Sequence, residues 1–136
     1  MKIHTEKFTI KTKDPLEGHN ITEKVGEILK NSEISDGICH VFLLHTTAGL
    51  YINDDEENLK EDFEIILQKL FPYHSSYVHN MIDNNAEAHL KSIFIGNSVA
   101  VPVTNFNIDL KKNQAIFVAE FDGPKERNVI VKIIGI

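Results

Sequence analysis

The sequence predicts an α+β single domain, built from largely antiparallel, sandwich-like sheets with about three helices. Three observations carry that reading. Alternating β-branched residues open the chain, helical periods occupy its middle, and three strand-like runs fill its last third. At 136 residues the chain is long enough for one real core and too short for two ordinary ones, so residues 1–136 read as one unit.

The opening stretch KIHTEKFTIKTK alternates and reads as a strand from Lys2 to Lys11. Next, NITEKVGEILKNS sets Ile21, Val25, Ile28 and Leu29 on one helical face, with Asn20 or Thr22 available as a cap. Asp36-Gly37 marks a turn, and ICHVFLLH follows as a buried strand ending at His45. In DDEENLKEDFEIILQKLFP, Leu59, Phe63, Ile66, Leu67 and Leu70 follow the 3.6-residue period of an amphipathic helix. Asp54 to Glu57 crowd its first turn, where the helix dipole favours negative charge, and Pro72 stops it. A link rich in tyrosine and histidine leads to a third helix, from about Asn85 to Ile95, which Gly96 closes. SVAVPVTNF, QAIFVAEFD and NVIVKIIGI are the closing strands, with Asp122-Gly123 starting the turn between the last two. Surplus apolar positions on the terminal strands point towards an oligomer.

A net charge of -6 without a basic run excludes wholesale binding to nucleic-acid backbones, though a phosphate-bearing small molecule needs only a few donors. The single cysteine, Cys39, forms no internal disulfide and fits a reducing cytoplasm. The alternating start resembles no signal peptide, and no run reaches the length of a membrane span. A soluble cytoplasmic protein without membrane or nucleic-acid partners is the expectation.

The chemistry gathers around histidines. His45 ends a buried strand just before TTAGL, His79 precedes the third helix, and His89 lies about one turn into it. Three imidazoles suit zinc and leave a coordination position open, with Asp83 as a fourth ligand or as the acceptor that orients a ligand histidine. Equally, Asp83 or Asn85 serves as a helix N-cap and His45 as a satisfied strand-end residue. Thr46 and Thr47 more readily shape a turn or donate to a ligand than act as nucleophiles. In EFDGPKER, Glu120 and Asp122 share a strand face with Lys125 and Arg127 across the turn. That is either a salt-bridged hairpin end or an arginine and carboxylates at a ligand mouth.

Taken in order, HTTAG, IND before an acidic helix carrying Asp62, YVHNMIDNNAEAHL, VPV and EFDGPKERNVIVKIIG resemble the YjbQ-type family. These small proteins are often called secondary thiamine-phosphate synthases, and the likeness runs from about Ile38 to the end of the chain. The resemblance implies a sandwich-like subunit in a homotrimer, with a metal bound near a subunit boundary by His45, His79 and His89. Zinc suits those ligands, while magnesium is the usual ion of diphosphate chemistry. Asn53, Asp83, Asn85, Gln114, Glu120 and Arg127 fall on the family's polar motif positions. The implied activity joins a hydroxymethylpyrimidine diphosphate to a thiazole phosphate and releases pyrophosphate. Asp83, Glu120 and Arg127 are then catalytic candidates, and Thr46, Thr47, Asn53, Asn85, Gln114 and Lys125 bind substrate. Metal-dependent hydrolysis and non-catalytic binding by a trimer are the alternatives. Two departures stand out: LKKNQ replaces the family's Leu-Gly-Thr-Trp-Gln in a chain without tryptophan, and Asn53-Asp54 replaces Asn-Glu. On this reading Arg127→Ala raises the demand for phosphate-bearing substrate more than it lowers stability.

Overall fold

The computed structural model describes residues 1–73 and 75–136; His74, in the tyrosine- and histidine-rich link, lies outside the described residues. Strands β1 (Lys2–Lys11) and β2 (Glu17–Asn20) precede helix α1 (Thr22–Ser32). Strands β3 (Gly37–Leu43) and β4 (Ala48–Asp54) lead to α2 (Glu57–Leu70), a short 3-10 helix (Val78–Met81) and α3 (Ala86–Ile95). Strands β5 (Ser98–Thr104), β6 (Asn107–Ile108), β7 (Gln114–Glu120) and β8 (Glu126–Gly135) complete the chain.

Alternation does what period-2 patterning requires, turning one face of each strand inward. All the pairings are antiparallel, in one sheet ordered β1-β8-β3-β5-β6 and another ordered β2-β7-β4. Between the sheets lies the main core, where Val41, Val101, Val131 and Ile133 meet Leu50, Ile116 and Val118, with Val25 and Ile28 of α1 joining them. Across the small sheet, Ala119 and Phe121 form a second core with Leu67 and Phe71 at the end of α2 and Ala88 of α3. Strand β7 is therefore buried on both faces, which is why its sequence is a continuous apolar run.

The helices form with local help. Asn20, two residues ahead of α1, accepts the Thr22 N–H with its Oδ1, so the expected cap acts from just outside the helix. Glu56 caps α2, its carboxylate accepting from the N–H groups of Asn58 at 3.1 Å and Leu59 at 2.6 Å. The expected apolar stripe of α2 is only partly buried. Leu67 is covered and Phe63 half-covered, but Ile66 and Leu70 are 48% and 62% exposed. The small sheet measures only about 10 Å between its outer strands and α3 shares it, so part of the stripe finds no surface.

Helix α3 ends against β4. A Cβ at Gly49 would stand 2.9 Å from Ile95 Cγ2, and Gly96, at φ 93°, turns the chain away as expected. Its inner face buries Glu87 and Lys91, and burial lowers the Lys91 pKa. Glu87 Oε2 has no hydrogen-bond partner among the described residues.

Strands β2 and β4 were not among the expected elements. Pairing with β7 on both sides makes them strands, a tertiary effect that local alternation does not reveal. No helix among the described residues is long and apolar enough to cross a membrane.

Candidate functional site

Two strand ends, one hairpin turn and one helix start converge on an open cleft of about 710 Å³. His45 lies two residues past β3, and Thr46 and Thr47 join it to β4. The β7–β8 turn contributes Lys125 and Arg127, while Asp83, Asn85 and His89 come from the start of α3. A second lobe of about 360 Å³ carries His45, Thr46 and His89 on to Ser92, Ile93 and Asn97.

Beneath the cleft Glu120 and Arg127 form a buried ion pair, 1% and 2% exposed. Arg127 Nε donates to Glu120 Oε1 at 2.9 Å, and Nη2 donates to Oε2. Thr12 Oγ1 also donates to Oε1, while the Phe121 and Asp122 N–H groups donate to Oε2. With both oxygens saturated, Glu120 cannot serve as a base; its expected catalytic role becomes one of positioning. Arg127 Nη2 also reaches the Thr47 carbonyl at 3.1 Å and Oγ1 at 3.0 Å, fixing the threonine loop and arguing against a Thr47 nucleophile. Nη1 makes no hydrogen bond among the described residues, and Arg127 lines the cleft.

A polar chain runs from the hairpin turn to His79. Lys125 Nζ donates to Asp122 Oδ2 at 2.6 Å, and Asn85 Nδ2 donates to the same oxygen at 3.0 Å. Burial works to raise the Asp122 pKa, but these hydrogen bonds and the charges of Lys125 and Arg127 hold it below the usual range. Because the amide nitrogen of Asn85 must face Asp122, its Oδ1 faces His79 Nε2, 3.0 Å away. Nε2 is therefore the donor and Nδ1 keeps the lone pair. Asn85 occupies the N-cap position of α3 but gives its side chain to this chain of bonds; Asn80 Oδ1 accepts the Ala86 N–H instead.

His45 has the opposite polarity. The Asn128 backbone N–H donates to its Nε2 at 2.7 Å, so that nitrogen is the acceptor and the neutral ring carries its proton on Nδ1. Burial and then the Arg127 charge lower its pKa, with Lys125 adding to the effect and Glu120 opposing it, all of which together favours the neutral ring.

These polarities decide how well the residues suit a metal. His79 and His89 stand with ring centroids 4.8 Å apart, and a lone pair on His79 Nδ1 backed by the Nε2–H to Asn85 is the usual arrangement of a ligand histidine. His45 differs, because its Nε2 already accepts the Asn128 N–H. Among the described residues no three His, Cys, Asp or Glu side chains form a group able to hold one ion.

Other motif residues are not brought here within one chain. Asn53 and Gln114 lie at the far end of the small sheet, roughly 17–20 Å from Ala48 and Glu120 at 3.3 Å per residue. Asn53 instead lines a separate hollow of about 250 Å³ with Tyr51, Lys60 and Phe63. Thr12 and Asn128 carry no sequence signal, because their contacts rest on a hydroxyl and a backbone N–H that pattern does not record.

The sequence model of the family described as "UPF0047 protein YjbQ-like" matches residues 6–136. A UPF0047 protein of Methanothermobacter thermautotrophicus is 40% identical over 135 residues, covering 99% of this chain and 94% of its own. One from Archaeoglobus fulgidus is 42% identical over 127 residues, 93% of this chain and 98% of the relative. A crystal structure from Sulfolobus solfataricus P2, described as a YbjQ-like protein of unknown function, superposes with a TM-score of 0.97. It is 34% identical and covers 99% of both chains.

Proposed function

The chain belongs to the UPF0047 YjbQ-like family, and from that membership and the chemistry of the cleft we propose a transferase acting on phosphate-bearing small molecules. Its reaction joins a hydroxymethylpyrimidine diphosphate to a thiazole phosphate. The supporting observation is one open cleft that gathers Lys125, Arg127, two imidazoles and the polar groups of Thr46 and Asn85 on ordered elements.

The thiazole nitrogen's lone pair forms a bond to the pyrimidine methylene carbon as the carbon–oxygen bond to diphosphate breaks, and pyrophosphate leaves with that electron pair. Lys125 Nζ and Arg127 Nη1 receive its growing charge. The positive pole of α3 faces the same space. What a divalent cation supplies there, when bound by His79 and His89, is neutralisation of the leaving group. Asp83, exposed at the rim, orients substrate rather than exchanging protons.

The test supplies each thiamine half alone and then both. Thiamine phosphate and one equivalent of pyrophosphate should form only with both, and Lys125→Ala should slow the reaction roughly 10²-fold. Phosphate release from either half alone would support hydrolysis instead.

A homotrimer is part of the same proposal. Val78, Met81, Ile82, Ile93 and Phe94 are between 73% and 87% exposed, on the 3-10 helix, the residue after it and the outer face of α3. Such a surface suits burial against copies of the chain, and Ile93 continues it into the cleft's second lobe. Sedimentation should give a trimer, and Ile93→Glu with Phe94→Glu a monomer. A wild-type monomer at micromolar concentration would refute the assembly. Cys39 is fully buried, its thiol pushed up to about 11 by burial, and needs no oxidising compartment; this supports a cytoplasmic setting.

A further inference from the structure

His45 differs from the other two histidines in a way that the three-ligand expectation did not anticipate. The Asn128 carbonyl accepts the Leu44 N–H at 3.1 Å, and the Asn128 N–H donates to His45 Nε2 at 2.7 Å. Both backbone groups of one β8 residue thus clasp consecutive residues just past β3, continuing the pairing of those strands. A backbone donor has no alternative protonation state and cannot rotate away like a side chain. It fixes the ring's acceptor edge, and Nδ1–H makes no hydrogen bond among the described residues.

We infer that His45 is a fixed neutral hydrogen-bond donor, presenting Nδ1–H to an anionic oxygen of the substrate, and takes no part in holding a metal. This rests on the reading that the cleft accepts a phosphate group. Ligation through Nδ1 would require the proton to move to Nε2, where it would oppose the Asn128 N–H at hydrogen-bond distance. Ligation through Nε2 would displace that N–H from its acceptor. His79 has neither conflict, since its Nε2–H already points at the Asn85 carbonyl oxygen. The site therefore divides into a His79–His89 pair with a lone pair to offer and a His45 that offers a proton in a hydrogen bond. Lys125 and Arg127, which line the same cleft, add positive charge near that donor.

The test is imidazole ¹⁵N NMR of the whole chain, with zinc and inorganic phosphate titrated separately. The expected spectrum shows His45 protonated at Nδ1 and bare at Nε2, unmoved by zinc and shifted by phosphate. His45→Ala should weaken phosphate binding about tenfold, the size of one hydrogen bond to a charged acceptor. His45→Asn, whose amide N–H stands near Nδ1, should recover most of that loss. Zinc affinity should stay within about twofold of wild type in His45→Ala and fall at least about tenfold in His89→Ala, which removes a paired ligand. A proton on Nε2, a zinc-dependent His45 signal, or equal loss of zinc in both alanine variants would overturn the inference, as would a wild type indifferent to phosphate. If these signals hold but both thiamine halves yield no product, the proposed reaction fails and the role of His45 stands.

Discussion

Arg127→Ala is expected to destabilise the protein by about 3–5 kcal/mol, because it strands the Glu120 carboxylate in the interior without its countercharge. The threonine loop loses its anchor at the same time. This reverses the order expected from sequence alone, where Arg127 was to matter more for substrate than for stability. Urea denaturation is the measurement. The double variant Arg127→Met, Glu120→Leu should regain part of the loss, since it removes the stranded charge but leaves the Thr12, Asp122 and Thr47 partners unmatched. A single-variant loss under about 1 kcal/mol would show that the pair is not the buried tie described here.

Gly37→Ala should fail for a different reason. Gly37 lies opposite Gly135, and a Cβ there would come within 2.0 Å of the Ile134 carbonyl oxygen and 2.8 Å of the Gly135 Cα. Those are backbone atoms of the paired strand, so relief means parting β3 from β8. A loss of about 3 kcal/mol or more is expected, at the upper end of overpacking costs. Gly26→Ala in α1 is the control: its Cβ meets nothing within 4 Å, and it should gain about 0.5–1 kcal/mol. Denaturation midpoints that put both variants near wild type would contradict the tight approach of the two glycines.

Much of the fold was legible because it is local. The period of α1, the stop at Gly96 and the alternation of β1 and β8 each depend on residues within a few positions. Strands β2 and β4 depend on β7, and the partial burial of the α2 stripe on the width of the sheet beneath it, neither of which is a sequence signal. In the site, His45, Asp83, Asn85, His89, Lys125 and Arg127 were named in advance and line one cleft. What could not be read was polarity. Whether a histidine donates or accepts is decided here by Asn128 and by an amide pinned on Asp122, partners 83 and 37 residues away in the chain. Asn53 and Gln114 show the converse: membership of a motif fixes a residue type, not its distance from the cleft.

Strand β8 sits between β1 and β3 in the large sheet, although it is the last strand of the eight to be synthesised. During translation the first and third strands have no common neighbour to hold them until residues near Gly135 clear the ribosome. The nascent chain must wait with its strand edges open, dependent on chaperones or on speed, and the non-local pairing makes that speed modest. A ribosome that stalls before β8 would release a chain lacking Arg127, Asn128 and the middle of its main sheet, a substrate for proteolysis rather than a weakened fold.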